Sequence, residues 1–465
     1  VSAHMSRAAR RGSDTSGLSE GVPLPDERVA DRGGPGAGAA PRLSVADGGS
    51  PSDAAVIWSE DFLSYRWTPD HPMNPVRLAL TMSLAQSMGI LDGVEPDRPF
   101  YADDPLLQRV HARSYIDAVR AAGSGMPGMS GETLARLYGL GDIDNPVFSG
   151  MHEAASLLVG GTTAAAAAIA NGAARRVVNI AGGMHHAMPA RAAGFCIYND
   201  AAVAIDWLLD HGFDRIAYID IDAHHGDGVQ YRFLADPRVL TISLHQHPAT
   251  LWPGTGWPHE VGERDGAGYA VNLPLMPGTP DVLWLRAFHA VVPSLVNAFR
   301  PQLIVSQCGV DSHRADPLTD LSLTVDGQRS AMLTMRDLAD THCDGRWLAV
   351  GGGGYGVVDV VPRSWTHLIG AVLRRDIDPA TPIDESWCAR AHAAATELNP
   401  AYTAEPVAVM TDGGDTDYVA WDGDAGADPP DGVSERAQQS TDAAIIATRR
   451  AVFPYHGLDP EDPRD

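Results

Sequence analysis

The sequence predicts an α/β protein: a single large domain with a central, mostly parallel sheet flanked by helices. Two observations predict this class. Short apolar runs alternate with amphipathic helical stretches from about residue 177 onward, the pattern of strand–helix crossover units. The apolar runs are near-continuous, as strands buried on both faces should be.

In chain order, residues 1–52 are rich in Gly, Pro, Ser, Ala and charge and carry no apolar periodicity, so they are read as a disordered extension. Ala55-Val56-Ile57-Trp58 opens the ordered part as a short strand. Helices are expected over Val76–Met88, Leu106–Ala121 and the Ala-rich Gly150–Ala173. Strands are expected at Val177–Ala181, Arg215–Asp220, Val239–Leu244, Leu303–Gln307 and Trp347–Val350, with Tyr269–Leu275 as an extra strand. The intervening helices are Asn199–His211, Pro280–Phe299, Val325–Cys343 and Val361–Arg374. The main domain is placed at 53–400. Residues 401–465 form a C-terminal extension of Asp- and Gly-rich loop followed by a helix, Ser434–Val452, docked on the body.

With 465 residues and ordinary apolar content, the chain can bury a sizeable core. A net charge of −25 argues against nucleic acid as a general partner, because phosphate recognition needs a basic face. The four cysteines form no Cys-x-x-Cys pair, which excludes a thiolate zinc motif and suits a reducing cytoplasm. No continuous stretch of about 18 apolar residues stands out as a membrane span, and no secretory leader is evident.

In a parallel sheet the ligand site lies beyond the carboxyl ends of the strands. Four polar blocks fall there: Gly182-Gly183-Met184-His185-His186, Asp220-Ile221-Asp222-Ala223-His224-His225-Gly226-Asp227, Cys308-Gly309-Val310-Asp311-Ser312-His313-Arg314-Ala315-Asp316-Pro317, and Gly351-Gly352-Gly353-Gly354-Tyr355. Asp222 and His224 stand two apart on an extended segment, so both point to one side. Asp311 can complete three protein ligands and leave a fourth position open, a set suited to catalytic zinc. The same ligand types accept iron(II), manganese or cobalt. Asp220 and Asp227 can each orient one imidazole of His185 and His186, giving two His–Asp dyads beside the metal. Tyr355 can donate to an oxyanion. The glycine run before it is not a phosphate loop, since no Lys-Ser or Lys-Thr follows. Phe195 and Trp252 can wall a narrow channel for an alkyl stem. Any of these residues alone is more often a packing or capping residue. Together they indicate a zinc-dependent amide hydrolase.

These blocks, together with His71-Pro72-Met73-Asn74-Pro75-Val76-Arg77, Tyr138-Gly139-Leu140-Gly141, Gly194-Phe195-Cys196 and Pro253–Gly256, resemble the arginase–deacetylase superfamily. The resemblance is to its class I histone deacetylase-like branch, most of all to the bacterial acetoin utilization proteins, and covers roughly Ala55 to Arg374. It implies an arginase/deacetylase-like fold and zinc held by Asp222, His224 and Asp311. It implies His186, paired with Asp227, as main proton shuttle, and His185, paired with Asp220, as electrostatic partner. Tyr355 would polarise the acetyl carbonyl, Gly183 and Gly353 would lie against the acyl-lysine stem, and Phe195 and Trp252 would form the channel walls. Asp144 matches best the aspartate that binds substrate backbone, with Asp142 the other carboxylate of that loop. Arg77 would lie near an internal acetate-release channel. A structural potassium would use Asp220, Asp222, His224, Ser243 and Leu244. The implied activity is deacetylation of N6-acetyl-lysine in proteins, with acetyl-CoA synthetase a candidate substrate. The alternatives are an acetylpolyamine or other small-molecule amidohydrolase, and an inactive acyl-lysine-binding scaffold. Arginase-type chemistry fits less well, because a two-manganese site needs more carboxylates.

Overall fold

The computed structural model describes residues 53–125, 130–399, 407–423, 429 and 432–465. The stretch 1–52, read from sequence as disordered, lies outside the described residues. The sheet has seven strands: β1 (Ala54–Val56), β2 (Arg176–Asn179), β3 (Ile216–Asp220), β4 (Val239–Gln246), β5 (Ala270–Leu275), β6 (Leu303–Gln307) and β7 (Trp347–Val350). Every pairing between them is parallel, in the order β1-β2-β7-β6-β3-β4-β5. All residues of β2 to β7 are buried, which is why most of these strands read as near-continuous apolar runs; β4 alternates from Leu240 to His245, with its polar Thr241, Ser243 and His245 buried too.

This order matters for the site. It makes β2, β7, β6 and β3 consecutive neighbours, although they are far apart in sequence. Register levels their ends: Asn179 and Gln307 both stand opposite Val350, and Asp220 stands opposite Gln307. The four loops that leave these strands therefore emerge side by side.

Helices flank the sheet. Met151–Ala170 packs against Asp200–Leu209 and against β2 and β7. Val361–Leu373 packs against β1 and β2, Val325–His342 against β6, and Asp281–Phe299 against β4. Glycine at 160 lets Met151–Ala170 approach the chain closely, since a Cβ there would lie 1.6 Å from the Phe100 carbonyl oxygen. By length and composition Met151–Ala170 and Asp281–Phe299 are apolar enough to cross a membrane, although Glu153 in one and Arg286 in the other interrupt any continuous apolar stretch. Both are mostly buried in the body, where a helix must be apolar on nearly all sides.

One expected helix is broken. The stretch read as Leu106–Ala121 divides into Asp104–Leu107 and Arg113–Ser124. Tertiary hydrogen bonds end the first piece: Ala112 N donates to Pro189 O at 2.8 Å, and the His111 ring sits between Met188 O and Asn199 N. Two short helices carry no sequence expectation, Gly131–Tyr138 and Asp227–Phe233. The C-terminal helix Glu435–Val452 packs on β5 and on Asp281–Phe299. Thr448 Oγ1 donates to Asn272 O at 2.7 Å, and buried Arg286 pairs with buried Asp442 at 2.8 Å.

Candidate active site

The loops after β3 and β6 bring Asp222, His224 and Asp311 together, with one ligand atom from each within 4.8 Å of the others. His224 Nδ1 lies 2.9 Å from Asp311 Oδ2 and 3.1 Å from Asp222 Oδ1. Beyond His224 and the more distant His185, the hydrogen-bond donors to the carboxylates are neutral. Asp222 Oδ2 accepts from Gln307 Nε2 at 2.7 Å and Gly353 N at 2.8 Å, and Asp311 Oδ1 accepts from Ala223 N at 2.8 Å. Two buried carboxylates placed side by side call for a cationic partner. Burial opposes a charged His224, yet Asp311 and Asp222 outweigh it and raise its pKa to about 10. Burial and the neighbouring Asp222 push Asp311 up. Such a cluster of two carboxylates and one imidazole fits a divalent metal.

The loop after β2 supplies the histidines. His185 Nδ1 lies 2.8 Å from Asp220 Oδ2, and His186 Nδ1 lies 2.8 Å from Asp227 Oδ1. The two rings are 3.9 Å apart, and His185 Nε2 is 3.9 Å from Asp222 Oδ2. Burial works against a charged His185, but Asp220 and Asp222 raise its pKa to about 9. Burial, then His185 and His224, push His186 well below the ordinary imidazole value. Burial raises Asp227 to about 6.

A small cavity at the site is lined by Gly183, His185, His186, Asp222, Gly353 and Tyr355. Gly183 takes φ +97°, and a Cβ there would lie 2.5 Å from Gly351 O. Trp252 packs edge-on against His186 with centroids 4.7 Å apart, and Phe195 packs edge-on against Tyr355 at 5.6 Å. The two aromatics thus stand beside the proton-transfer and oxyanion candidates respectively. Tyr355 N donates to Asp316 Oδ2 at 2.8 Å. Burial, then Asp311 and Asp222, push the Tyr355 phenol above its ordinary value, which keeps its hydrogen available to donate.

In the loop after Tyr138-Gly139-Leu140-Gly141 the two carboxylates differ in use. Asp142 Oδ1 accepts from Asn145 N at 2.7 Å and Asp144 N at 3.1 Å, shaping the loop itself. The Asp144 carboxylate takes no such internal role among the described residues. Its carbonyl is tied to the site by His71 Nε2 at 3.1 Å, and the His71 ring packs on Phe195 at 4.5 Å. Buried Arg77 donates to Gly352 O at 2.9 Å and Gly354 O at 3.0 Å, holding the glycine run beneath Tyr355.

Of three supporting residues, Gln307 and Asp200 carry no sequence expectation, and Asp316 belongs to the polar block after Leu303–Gln307 without a role assigned to it. Gln307, the last residue of β6, holds Asp222. Asp200 is buried at the first position of Asp200–Leu209 and accepts from Gly183 N at 3.0 Å and Met184 N at 2.7 Å, fixing the turn before His185. Asp316 holds Tyr355. Gln307 had a sequence signal: it is polar at the end of an apolar strand.

A model of the histone deacetylase domain matches residues 71–372. The chain belongs to the histone deacetylase family. It is 41% identical over 336 residues to acetoin utilization protein AcuC of Bacillus subtilis (strain 168), covering 72% of this chain and 85% of that relative. It is 38% identical over 326 residues to AcuC of Staphylococcus aureus (strain MRSA252), covering 70% and 83%. Among solved structures, an HDAC homolog from Aquifex aeolicus superposes with TM-score 0.72 at 27% identity, covering 84% of this chain and 100% of that chain. An HDAC homolog complexed with SAHA gives TM-score 0.71 at 28% identity over the same shares. The family and the candidate metal-binding triad support a zinc-dependent, deacetylase-type activity.

Proposed function

We propose that the chain hydrolyses N6-acetyl-lysine in proteins, releasing acetate, with zinc held by Asp222, His224 and Asp311. One observation carries the reading: Asp222 of the triad, His186 of the His186–Asp227 pair and Tyr355 line one cavity. Zinc, when bound, supplies Lewis acidity to the amide carbonyl and to the attacking water. His186, with Nδ1 committed to Asp227, offers Nε2 to take the proton of the water and pass it to the leaving amine. His185, fixed by Asp220, is the electrostatic partner. Tyr355 donates to the carbonyl oxygen as it gains charge. Gly183 and Gly353 line the acyl stem, Phe195 and Trp252 flank it, and Asp144 receives substrate backbone at the rim.

The proposed substrates are acetylated proteins, with acetyl-CoA synthetase the candidate that the family resemblance suggests. Iron(II) suits the same ligands. A structural potassium beside β3 and β4 would use Asp220, Asp222, His224, Ser243 and Leu244; in support, Asp220 and Ser243 stand opposite each other in register. A cytoplasmic setting suits the four free cysteines. The test is turnover of acetyl-lysine peptides and acetylpolyamines after zinc is added back to apo protein. Zinc-dependent turnover of the peptides supports the proposal. Turnover of acetylpolyamines alone would replace it with a small-molecule amidohydrolase, and peptide binding without turnover would replace it with a scaffold.

A further inference from the structure

The matched family domain ends at residue 372, yet a residue after it bonds the loop that carries Asp311. Asp412 is the point of contact. Its Oδ2 accepts from His313 Nε2 at 2.7 Å and from Val325 N at 3.1 Å, and its Oδ1 accepts from Arg363 Nη1 at 2.7 Å. The three side chains are all buried, at 8%, 4% and 2% exposure for Asp412, His313 and Arg363.

The two partners belong to two different halves of the site. His313 lies in the loop after β6, two residues beyond the ligand Asp311. Its Nδ1 accepts from Ala315 N at 3.0 Å, so Nε2 carries the hydrogen donated to Asp412. The same loop ends at Asp316, which holds the Tyr355 amide. Arg363 lies in the first turn of the helix Val361–Leu373 that follows the Tyr355 segment, and its Nε donates to Asp359 O at 2.6 Å. Asp412 therefore joins the ligand loop to the segment that carries the oxyanion donor. Asp412 is itself held. Asp326 Oδ2 accepts from Asp412 N at 2.9 Å and Gly414 N at 3.0 Å, and His367 Nε2 donates to Met410 O at 3.1 Å.

We infer that Asp412 is a positioning residue for metal retention and for Tyr355, contributed by the C-terminal extension. The inference rests on the zinc site proposed above. A buried carboxylate between a guanidinium and an imidazole is held in one place, because moving it leaves charge unpaired. Through His313 it limits the motion of the loop that carries the proposed metal ligand Asp311. Groups that orient ligands from outside typically change metal affinity by about tenfold to a hundredfold when lost.

The extension has a second, separate anchor, in which Arg286 binds Asp442 and the carbonyls of Val419 and Ala420. That anchor supplies the control. On full-length zinc-loaded protein, zinc dissociation constant, kcat, KM and melting temperature are measured for wild type, Asp412→Asn and Asp442→Asn. Asp412→Asn should weaken zinc about tenfold or more and lower kcat, with KM nearly unchanged. Asp442→Asn should lower the melting temperature and leave zinc affinity as in wild type. Wild-type zinc affinity in Asp412→Asn overturns the inference. Equal zinc weakening in both variants also overturns it, since the effect would then be general loosening. If Asp412→Asn does not fold, His313→Leu, which removes the donor and keeps bulk, decides on the same measurements. Wild-type protein that holds no zinc would instead remove the metal site, and this inference with it.

Discussion

Gly309→Ala should disable the metal site by steric contact alone. Neither Gly309 nor Gly353 occupies the left-handed region, so alanine can adopt either backbone without strain. A Cβ built on Gly309 would lie 2.0 Å from Asp222 Oδ2, where real contacts essentially never fall below 3.0 Å. A Cβ on Gly353 would lie 2.2 Å from Asp311 Oδ2 and 2.8 Å from Asp222 Oδ2. Relief of the first contact needs a shift of at least 3.0 − 2.0 = 1.0 Å. Asp222 Oδ2 cannot make that shift freely, because Gln307 and Gly353 N both bond it. Metal–ligand distances tolerate only about 0.2 Å. The required displacement is several times larger, so zinc affinity should fall by at least about a hundredfold, roughly 2.7 kcal/mol. The assay is competition with a chelator of known affinity, with circular dichroism to establish folding. Gly131→Ala is the control, since nothing lies within 4 Å of its added Cβ. A folded Gly309→Ala protein with wild-type zinc affinity would refute the proposed ligand geometry.

Three further outcomes are expected. His186→Ala should lower kcat by about a hundredfold or more with metal retained, and His185→Ala should cost less; steady-state kinetics with metal analysis would exchange the two roles if the order were reversed. Tyr355→Phe should lose about a hundredfold to a thousandfold in turnover yet still bind zinc and acetyl-lysine peptide, since its hydroxyl acts only as the oxyanion forms; near-normal turnover would remove Tyr355 from the mechanism. Burial holds His111 and His367 down at about 4, against about 6.5 in an unfolded chain, so between these values the unfolded state binds more protons and stability falls as pH falls. Each contributes up to roughly 3 kcal/mol to that loss, so the denaturation midpoint should drop between pH 7 and 5, and drop less in His111→Gln; equal drops would refute the assignment to His111.

The sequence made the strands legible because burial on both faces leaves only apolar residues to place there. Leu303–Gln307 and Trp347–Val350 match the expected bounds residue for residue. The candidate ligands were legible for a related reason. After such a strand, a run such as Asp-Ala-His-His-Gly-Asp has no packing purpose, and the parallel topology says where it must point. The break in the expected helix Leu106–Ala121 has a different cause, which is long-range contact. No residue between Leu106 and Ala121 breaks a helix. It breaks because Ala112 N and His111 find partners near residue 189, far along the chain. The helix Gly131–Tyr138 was missed for a weaker reason, since Ser130 caps it through Thr133 N and Gly139 closes it at φ +64°, both ordinary local signals.

Asp412 and Asp200 show where the limit lies. Nothing in Thr411-Asp412-Gly413-Gly414 distinguishes that aspartate from its exposed neighbours Asp415 and Asp417, and all stand in one polar stretch. Its meaning comes from two partners, 99 and 49 residues away in sequence, which the fold alone brings together. Asp200 is the same case at a helix start, where a capping role would have been expected and the carboxylate instead holds the turn before His185. Residues that touch a reacting group must be of particular chemical types, and type can be read from a sequence. Residues that position them need only a donor or acceptor in the right place. Many types satisfy that, so position must be seen in the structure before the role can be assigned.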